Sequence, residues 1–195
     1  MTLNKQPALD AIEKEQNNIL HVADEIWDYA ELSLQEFRSA KLYCEVLKQE
    51  GFRVEEGVCG IATAFAASFG SGRPHIGILA EYDALSGLSQ QGGQLVHAER
   101  TPGGTGHGCG HNLLGTASLG AAIAIKSGVK TAAEAAKMIG VGLQSFCIDG
   151  SVAEDRKVGL GHGNLGAMLL SDESKCFAFL AGHESFAAAE GAIGI

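Results

Sequence analysis

Several features of common protein classes are missing from this 195-residue chain. No run of about 18 apolar residues occurs, so the sequence predicts no membrane-spanning helix. The N-terminus is polar and lacks the apolar segment of a signal peptide. The five cysteines are odd in number and irregular in spacing, which argues against a disulfide framework. Together these absences predict a reduced, cytoplasmic protein.

Basic residues are also scarce. The chain has 14 Lys and Arg against 23 Asp and Glu, a net charge of −9, so neither nucleic acid nor an anionic membrane is an expected partner. With 46% hydrophobic and 19% charged residues, the composition is that of a folded globular protein rather than a disordered one. The length suits one domain, or one domain and part of a second. The 27 glycines indicate many tight turns and close backbone approaches.

The spacing of apolar residues predicts the helices. They are expected over residues 7–30, 34–50, 113–126 and 131–138. Cys44 lies on the apolar face of the second helix and is expected in the core, and Gly51 is expected to terminate that helix. The third helix is apolar nearly all round and should be buried, with Asn112 as its N-cap.

Short β-type segments lie between these helices. They are expected over residues 53–58, 61–69, 75–80 and 176–181. The segment 75–80 is almost continuously apolar, which is typical of a strand buried on both faces. The fold class is therefore α/β, with a partial, mostly parallel sheet that carries helices on its faces.

The sequence GHGCGHN, residues 106–112, concentrates candidate metal ligands in a short loop. His107, Cys109 and His111 are separated only by glycines, which allow a short loop to turn Cys109 and His111 toward one ion. Cysteine is, however, often only a small buried hydrophobic residue, and a glycine-flanked histidine can belong to an ordinary loop. On residue types alone, both interpretations remain open.

Two acids follow the predicted strand 75–80. Glu81 and Asp83 are two residues apart, so on a strand their side chains point to the same face. The carboxyl end of a buried strand is where α/β proteins place ligand chemistry, although two solvated acids would give the same pattern. The long polar loop 86–106 that follows is of a length usually associated with function or mobility.

Residues 27–126 resemble the start of a zinc amidohydrolase and carboxypeptidase family. The resemblance is closer to the branch that hydrolyses aminobenzoyl-glutamate and indole-acetyl-amino-acid amides. It is carried by IWDYAELSLQEFRSA, FAASFGSG, AEYDALSGLSQQ and, above all, GHGCGHNLLGTA. It implies a metallopeptidase-like catalytic domain that hydrolyses a small-molecule amide with zinc or manganese, two ions in the complete site.

The resemblance also implies a role for individual residues. Cys109 would bridge two ions and His111 would bind one of them. Asp83 would orient one of the ligands without binding an ion itself. In the family, a Glu-Glu pair downstream of this helix supplies the general base and a further ligand. Here the only Glu-Glu pair is residues 55–56, upstream of the motif. His183, in the sequence GHES, resembles a later histidine ligand and is the candidate substitute.

The remaining segments, from about residue 120 onward, are GAAIAIKSGVKTAAEAAKMIGVGLQSFCIDGSVAEDRKVGLGHGNLGAMLL and CFAFLAGHESFAAAEGAIGI. They resemble a second family, the uncharacterised bacterial GGGtGRT group. We therefore expect two parts: residues 1–126, a partial metallopeptidase-like catalytic domain, and residues 127–195, a GGGtGRT-like segment packed on it. The junction suggests a fusion of two gene fragments. Residues 161–164, Gly-His-Gly-Asn, fit either a ligand loop or a tight turn with a surface histidine.

Two functions follow from the sequence. The first is a metal-dependent amidohydrolase, impaired or inactive as this chain because its base and several ligands are not found. The second is a non-catalytic fused fragment or a binding protein of the GGGtGRT type. An incomplete sheet would leave an open edge and apolar surface, so self-association or a homo-oligomer is expected.

Overall fold

The computed structural model of the protein describes residues 4–70, 77–128 and 167–168. In chain order the elements are α1 (Gln6–Tyr29), α2 (Phe37–Gln49), β1 (Arg53–Glu56), a 3-10 turn (Val58–Gly60), β2 (Phe65–Ser68), β3 (Gly77–Ile78), α3 (His111–Gly128) and β4 (Ala167–Met168). The predicted elements over 131–138 and 176–181 lie outside the described residues. No described helix is both long enough and apolar enough to cross a bilayer.

The first two helices confirm the predictions from periodicity. Helix α1 begins with a proline in its first turn and ends where Ala30 adopts a left-handed conformation, φ 43°. Helix α2 begins three residues later than predicted because Leu34 has φ 65°, which no helix can continue. Gly51, with φ 79°, terminates α2 as predicted.

Strands β1 and β2 form an antiparallel hairpin in which Arg53 is opposite Ser68. Strands β3 and β4 are also antiparallel, and the single parallel pairing in the described residues is the bridge between Leu32 and Ala84. The α/β class is confirmed, but the direction of these pairings differs from the mostly parallel sheet expected. For β1 and β2 the short connection permits only an antiparallel pair, since a parallel pair needs a crossover of roughly a dozen residues or more.

The core lies where α1 and α3 pack together and α2 covers the hairpin. Its fully buried side chains include Ile26, Tyr43, Leu47 and Leu119. Cys44 is 3% exposed, and its burial raises the pKa of the thiol to about 12, so it is a structural residue as expected.

Helix α3 begins at His111, and both Leu113 and Leu114 donate their backbone N–H to the carbonyl of Gly110. The prediction that Asn112 is the N-cap is therefore wrong. Its side-chain amide lies inside the first turn and donates to the carbonyl of Ala23, 3.3 Å away. A tertiary hydrogen bond to α1 has replaced the local cap. The helix is largely buried from its second turn onward, as predicted, while Leu113 and Leu114 are exposed.

Candidate functional site

His111 lies between the two acids that follow β3. Its Nδ1 is 2.8 Å from Oδ1 of Asp83, and its Nε2 is 3.2 Å from Oε2 of Glu81. Asp83 is 6% exposed and the His111 side chain 14% exposed, so this contact is largely removed from water. The structure thus brings together Asp83 and His111, two of the residues singled out in the sequence.

The charges around His111 decide its protonation. The hydrogen bond that the imidazole donates to Asp83 is the largest effect and raises the pKa of His111 above its usual value, and the nearby charges of Asp83 and Glu81 add to the rise. Partial burial acts in the opposite direction but is the weaker effect. In this arrangement Nδ1–H donates to Asp83, which fixes the ring orientation and leaves Nε2 facing Glu81.

A tight turn connects the segment GHGCGHN, residues 106–112, with α3. The N–H of Gly110 donates to the carbonyl of His107, 3.0 Å away, and Gly110 has φ 74°. Before the turn, Gly106 is paired with Leu85 through two backbone hydrogen bonds. A Cβ on Gly106 would lie 2.0 Å from the carbonyl oxygen of Leu88, so only glycine fits there. These contacts hold the turn against the strand end that carries Asp83.

Cys109 occupies the middle of this turn and is exposed, with no disulfide partner among the described residues. Because α3 begins at His111, Cys109 lies two residues before the start of this helix. Within the described part of the chain, no hydrogen bond joins the Cys109 and His111 side chains. His183, the candidate substitute ligand, lies outside the described residues.

His107 lies in the same loop as His111 and has the same residue type, but it is a structural residue. It is 5% exposed, its Nε2 lies 2.9 Å from the carbonyl of Ile26, and its ring stacks on Trp27 at 6.3 Å. Burial lowers the pKa of its imidazole, so the ring is neutral and donates from Nε2. Residue type and spacing alone could not separate His107 from His111, because the difference lies in which one faces α1; the family resemblance assigned the ligand role to His111.

Glu36 is a residue near the site that the sequence did not reveal. Its side chain is fully buried, and neither carboxyl oxygen has a hydrogen-bond partner. Burial raises the pKa of this carboxyl, and the charge of Asp83 adds to the effect. The nearby Thr63 hydroxyl and backbone amides favour the charged form more weakly. Its only sequence signal is an acid directly before the apolar face of α2, which is also typical of a helix cap.

The capping role belongs to Glu31 instead. Its carboxylate accepts hydrogen bonds from the backbone N–H of Arg38 at 3.0 Å and of Ser39 at 2.9 Å, and from the Ser39 hydroxyl at 2.8 Å. The carbonyl of Glu31 also accepts from the N–H of Ala84, 2.7 Å away. Glu31 therefore ties the start of α2 to the strand end beside Asp83.

The donor types at the site suit a transition metal only in part. A thiol, an imidazole and carboxylates are ligands that zinc accepts, and a histidine held by a carboxylate is typical of such centres. Among residues 4–70 and 77–128, however, no three His, Cys, Asp or Glu side chains surround one position able to hold a metal ion. The described residues thus fit part of a metal site, and further ligands would be needed to complete it.

The fold is that of part of a metallopeptidase-like α/β domain. A solved structure of a candidate aminohydrolase from methicillin-resistant Staphylococcus aureus superposes with a TM-score of 0.51. It is 22% identical in sequence, and the match covers 63% of this chain and 31% of that one. The likeness supports the fold alone.

Relatives in sequence match a similar share of the chain. One subunit of the p-aminobenzoyl-glutamate hydrolase of Escherichia coli is 52% identical over 117 residues, which is 60% of this chain and 24% of that protein. Thermostable carboxypeptidase 1 of Saccharolobus solfataricus is 32% identical over 125 residues, 57% of this chain and 31% of that protein. The chain thus spans about a quarter to a third of the length of these relatives.

The chain belongs to the GGGtGRT protein family, whose model matches residues 84–195, more than half of its length. The match begins upstream of the predicted junction at residue 126 and includes Cys109 and His111. Both resemblances predicted from the sequence are therefore confirmed.

Proposed function

We propose that the chain carries part of the active site of a metal-dependent amidohydrolase that acts on N-acyl amino acids or aminobenzoyl-glutamate-type amides. Cys109 and His111 are the proposed ligands of zinc or manganese, with His183 as a further ligand, and Asp83 is the group that positions His111. The observation that carries the proposal is the hydrogen bond between Asp83 and His111 Nδ1, 2.8 Å long. The likeness to the Escherichia coli hydrolase supports the reaction class.

The residues of this chain define what the site can do. By accepting the Nδ1 proton, Asp83 selects the tautomer whose Nε2 lone pair is available to a metal ion. Glu81 lies beside that nitrogen and adds an oxygen donor on the same side. A bound metal ion would polarise the amide carbonyl and lower the pKa of a water molecule. Binding must first displace the proton that the two carboxylates favour on His111.

Turnover by this chain is proposed to be weak or absent. A general base is needed for amide hydrolysis, and the single Glu-Glu pair of the sequence lies in β1 on the surface. There Glu56 forms an ion pair with Lys48 at 2.5 Å, away from His111. We propose that the division at residues 126 and 127, and the fusion that it implies, account for the missing groups.

Metal content tests the proposal. The full chain, purified under reducing conditions and dialysed against Zn²⁺ or Mn²⁺, should retain metal, and Cys109→Ala should lose most of it. Cys59→Ala is the matched control, because Cys59 is also an exposed free cysteine but lies in the 3-10 turn. Equal metal content in both variants would contradict the ligand assignment. Chelator-sensitive hydrolysis of N-acyl amino acids at a rate matching complete enzymes would contradict the proposed impairment.

A further inference from the structure

Glu36 carries a buried carboxyl close to Asp83 that the proposed function leaves unused. The Glu36 side chain has no exposed surface, and in the described part of the chain it forms no ion pair. Neither Oε1 nor Oε2 has a hydrogen-bond partner. A charged carboxylate in this condition is strongly disfavoured, whereas a neutral carboxylic acid is tolerated if its proton finds an acceptor.

The neighbours of Glu36 include such an acceptor. Thr63 is 1% exposed, and its hydroxyl also lacks a hydrogen-bond partner. The backbone of Thr63 is fixed by the Tyr82 hydroxyl, which donates to its carbonyl at 2.6 Å. Glu36 and Thr63 are thus two neighbouring buried polar groups. A charged Glu36 can only accept from the Thr63 hydroxyl, whereas a neutral Glu36 can donate its acid proton to the Thr63 oxygen.

Tyr82 connects this cluster with the site. It directly precedes Asp83 in the chain, and its ring is fully buried against Tyr43 at 5.1 Å. The position of Asp83 therefore depends on a side chain anchored to Thr63. Glu36 and Asp83 also repel each other electrostatically when both are charged. When Glu36 is neutral, Asp83 is the single buried carboxylate among the described residues and is free to accept from His111.

We propose that Glu36 is a positioning residue: an uncharged carboxylic acid that donates to the Thr63 hydroxyl and thereby holds the Tyr82–Asp83 strand end in the place where Asp83 accepts the His111 Nδ1 proton. Glu36 touches neither His111 nor Cys109 in this role. The inference deepens the proposed function, because Asp83 and His111 belong to the same site.

The charge state is tested by infrared spectroscopy of the full chain labelled with ¹³C-glutamate. At pH 7 exposed glutamates are ionised, since their ordinary pKa lies well below 7. Wild type should show the carbonyl band of one neutral glutamic acid, and Glu36→Gln should lack it. Wild type without this band would overturn the proposal.

The positioning role is tested by the nuclear magnetic resonance signal of the His111 Nδ1 proton, assigned with ¹⁵N-histidine and by its loss in Asp83→Ala, which removes the acceptor. Glu36→Gln keeps a hydrogen-bond donor and should retain the signal. Glu36→Met, of similar length but without a donor, should lose it through exchange with water while keeping its near-ultraviolet circular dichroism. If Glu36→Met does not fold, Thr63→Val takes its place, because it removes the Thr63 hydroxyl while Glu36 stays unchanged.

A signal that persists unchanged in the folded Glu36→Met or Thr63→Val variant would show that Glu36 only fills space, and would refute the positioning role. Neither measurement uses a metal ion. A chain that binds no Zn²⁺ would therefore refute the proposed function while leaving this test decisive.

Discussion

Gly115→Ala is the substitution whose effect the structure predicts most directly. Gly115 lies where α3 crosses the strand end, and a Cβ there would lie 2.4 Å from the Tyr43 hydroxyl oxygen and 2.7 Å from the Glu81 carbonyl oxygen. Neither atom can move easily, because Tyr43 is fully buried and the carbonyl belongs to the backbone beside the site. The added methyl group must push α3 away from this strand end.

Two effects of opposite sign determine how much Gly115→Ala changes the free energy of unfolding. Alanine is favoured over glycine inside a helix by about 1 kcal/mol. Overpacking a well-filled core costs roughly 1–3 kcal/mol, and two rigid obstacles place this case in the upper half of that range. The net expectation for Gly115→Ala is a loss of about 1–2 kcal/mol in the free energy of unfolding.

Gly120→Ala provides the matched control in the same helix. Its Cβ would lie 3.3 Å from Cδ1 of Ile19, the end of a flexible side chain, so the helix preference should dominate. We expect a change between zero and a gain of about 1 kcal/mol. Urea denaturation followed by circular dichroism measures both variants. If Gly115→Ala were as stable as Gly120→Ala, the close approach of α3 to the strand end would be refuted.

Three further predictions follow from the site. Glu31→Gln removes part of the cap of α2 and should cost about 1–2 kcal/mol in urea denaturation, whereas Glu45→Gln, in an exposed ion pair, should change stability by less than about 0.5 kcal/mol. Asp83→Asn should weaken Zn²⁺ binding by about 10- to 100-fold in competition titrations, because His111 loses its orienting carboxylate. Glu36 has a pKa raised above its ordinary value of 4.5 by burial and by Asp83, with Tyr82 the other titratable neighbour. The stability that protonated Glu36 contributes is therefore complete below pH 4.5 and is lost as the pH rises through the folded-state pKa. Glu36→Gln should remove this loss and become increasingly the more stable form toward pH 8, and parallel stability profiles for the two proteins would contradict this.

The parts of the site that were predictable from sequence depend on local geometry. Glu81 and Asp83 were expected on one face because side chains two apart on an extended strand share a face, and both contact His111. The boundaries of α1 followed from a periodic apolar face within the same segment. In each case the deciding interaction lies within a few residues of the chain.

The parts that were not predictable depend on contacts between distant segments. Asn112 has the residue type of an N-cap, yet its amide donates to Ala23, 89 residues away in sequence. Glu36 has the residue type and position of a cap, yet Glu31 provides the cap and Glu36 is buried. The antiparallel direction of the β3–β4 pair also depends on a contact between segments that are distant in sequence. Residue type limits what each side chain can do, but only packing decides which partner it finds.

In the segment GHGCGHNLLGTA, the structure explains the glycines more fully than the proposed metal ligands. Gly106 is required by the Leu88 carbonyl oxygen, which a Cβ would approach to 2.0 Å, and Gly115 by the Glu81 carbonyl oxygen, at 2.7 Å. These close approaches fix the distance between the His111 helix and Asp83 before any metal ion is bound. Such pre-organisation belongs to a site that must hold a ligand in one orientation. The described chain therefore contains the groups that orient His111, even though it lacks three side chains arranged around one ion. The described residues between Glu31 and Thr116 hold His111 and Asp83 in one orientation, which is the framework that the proposed metal site requires.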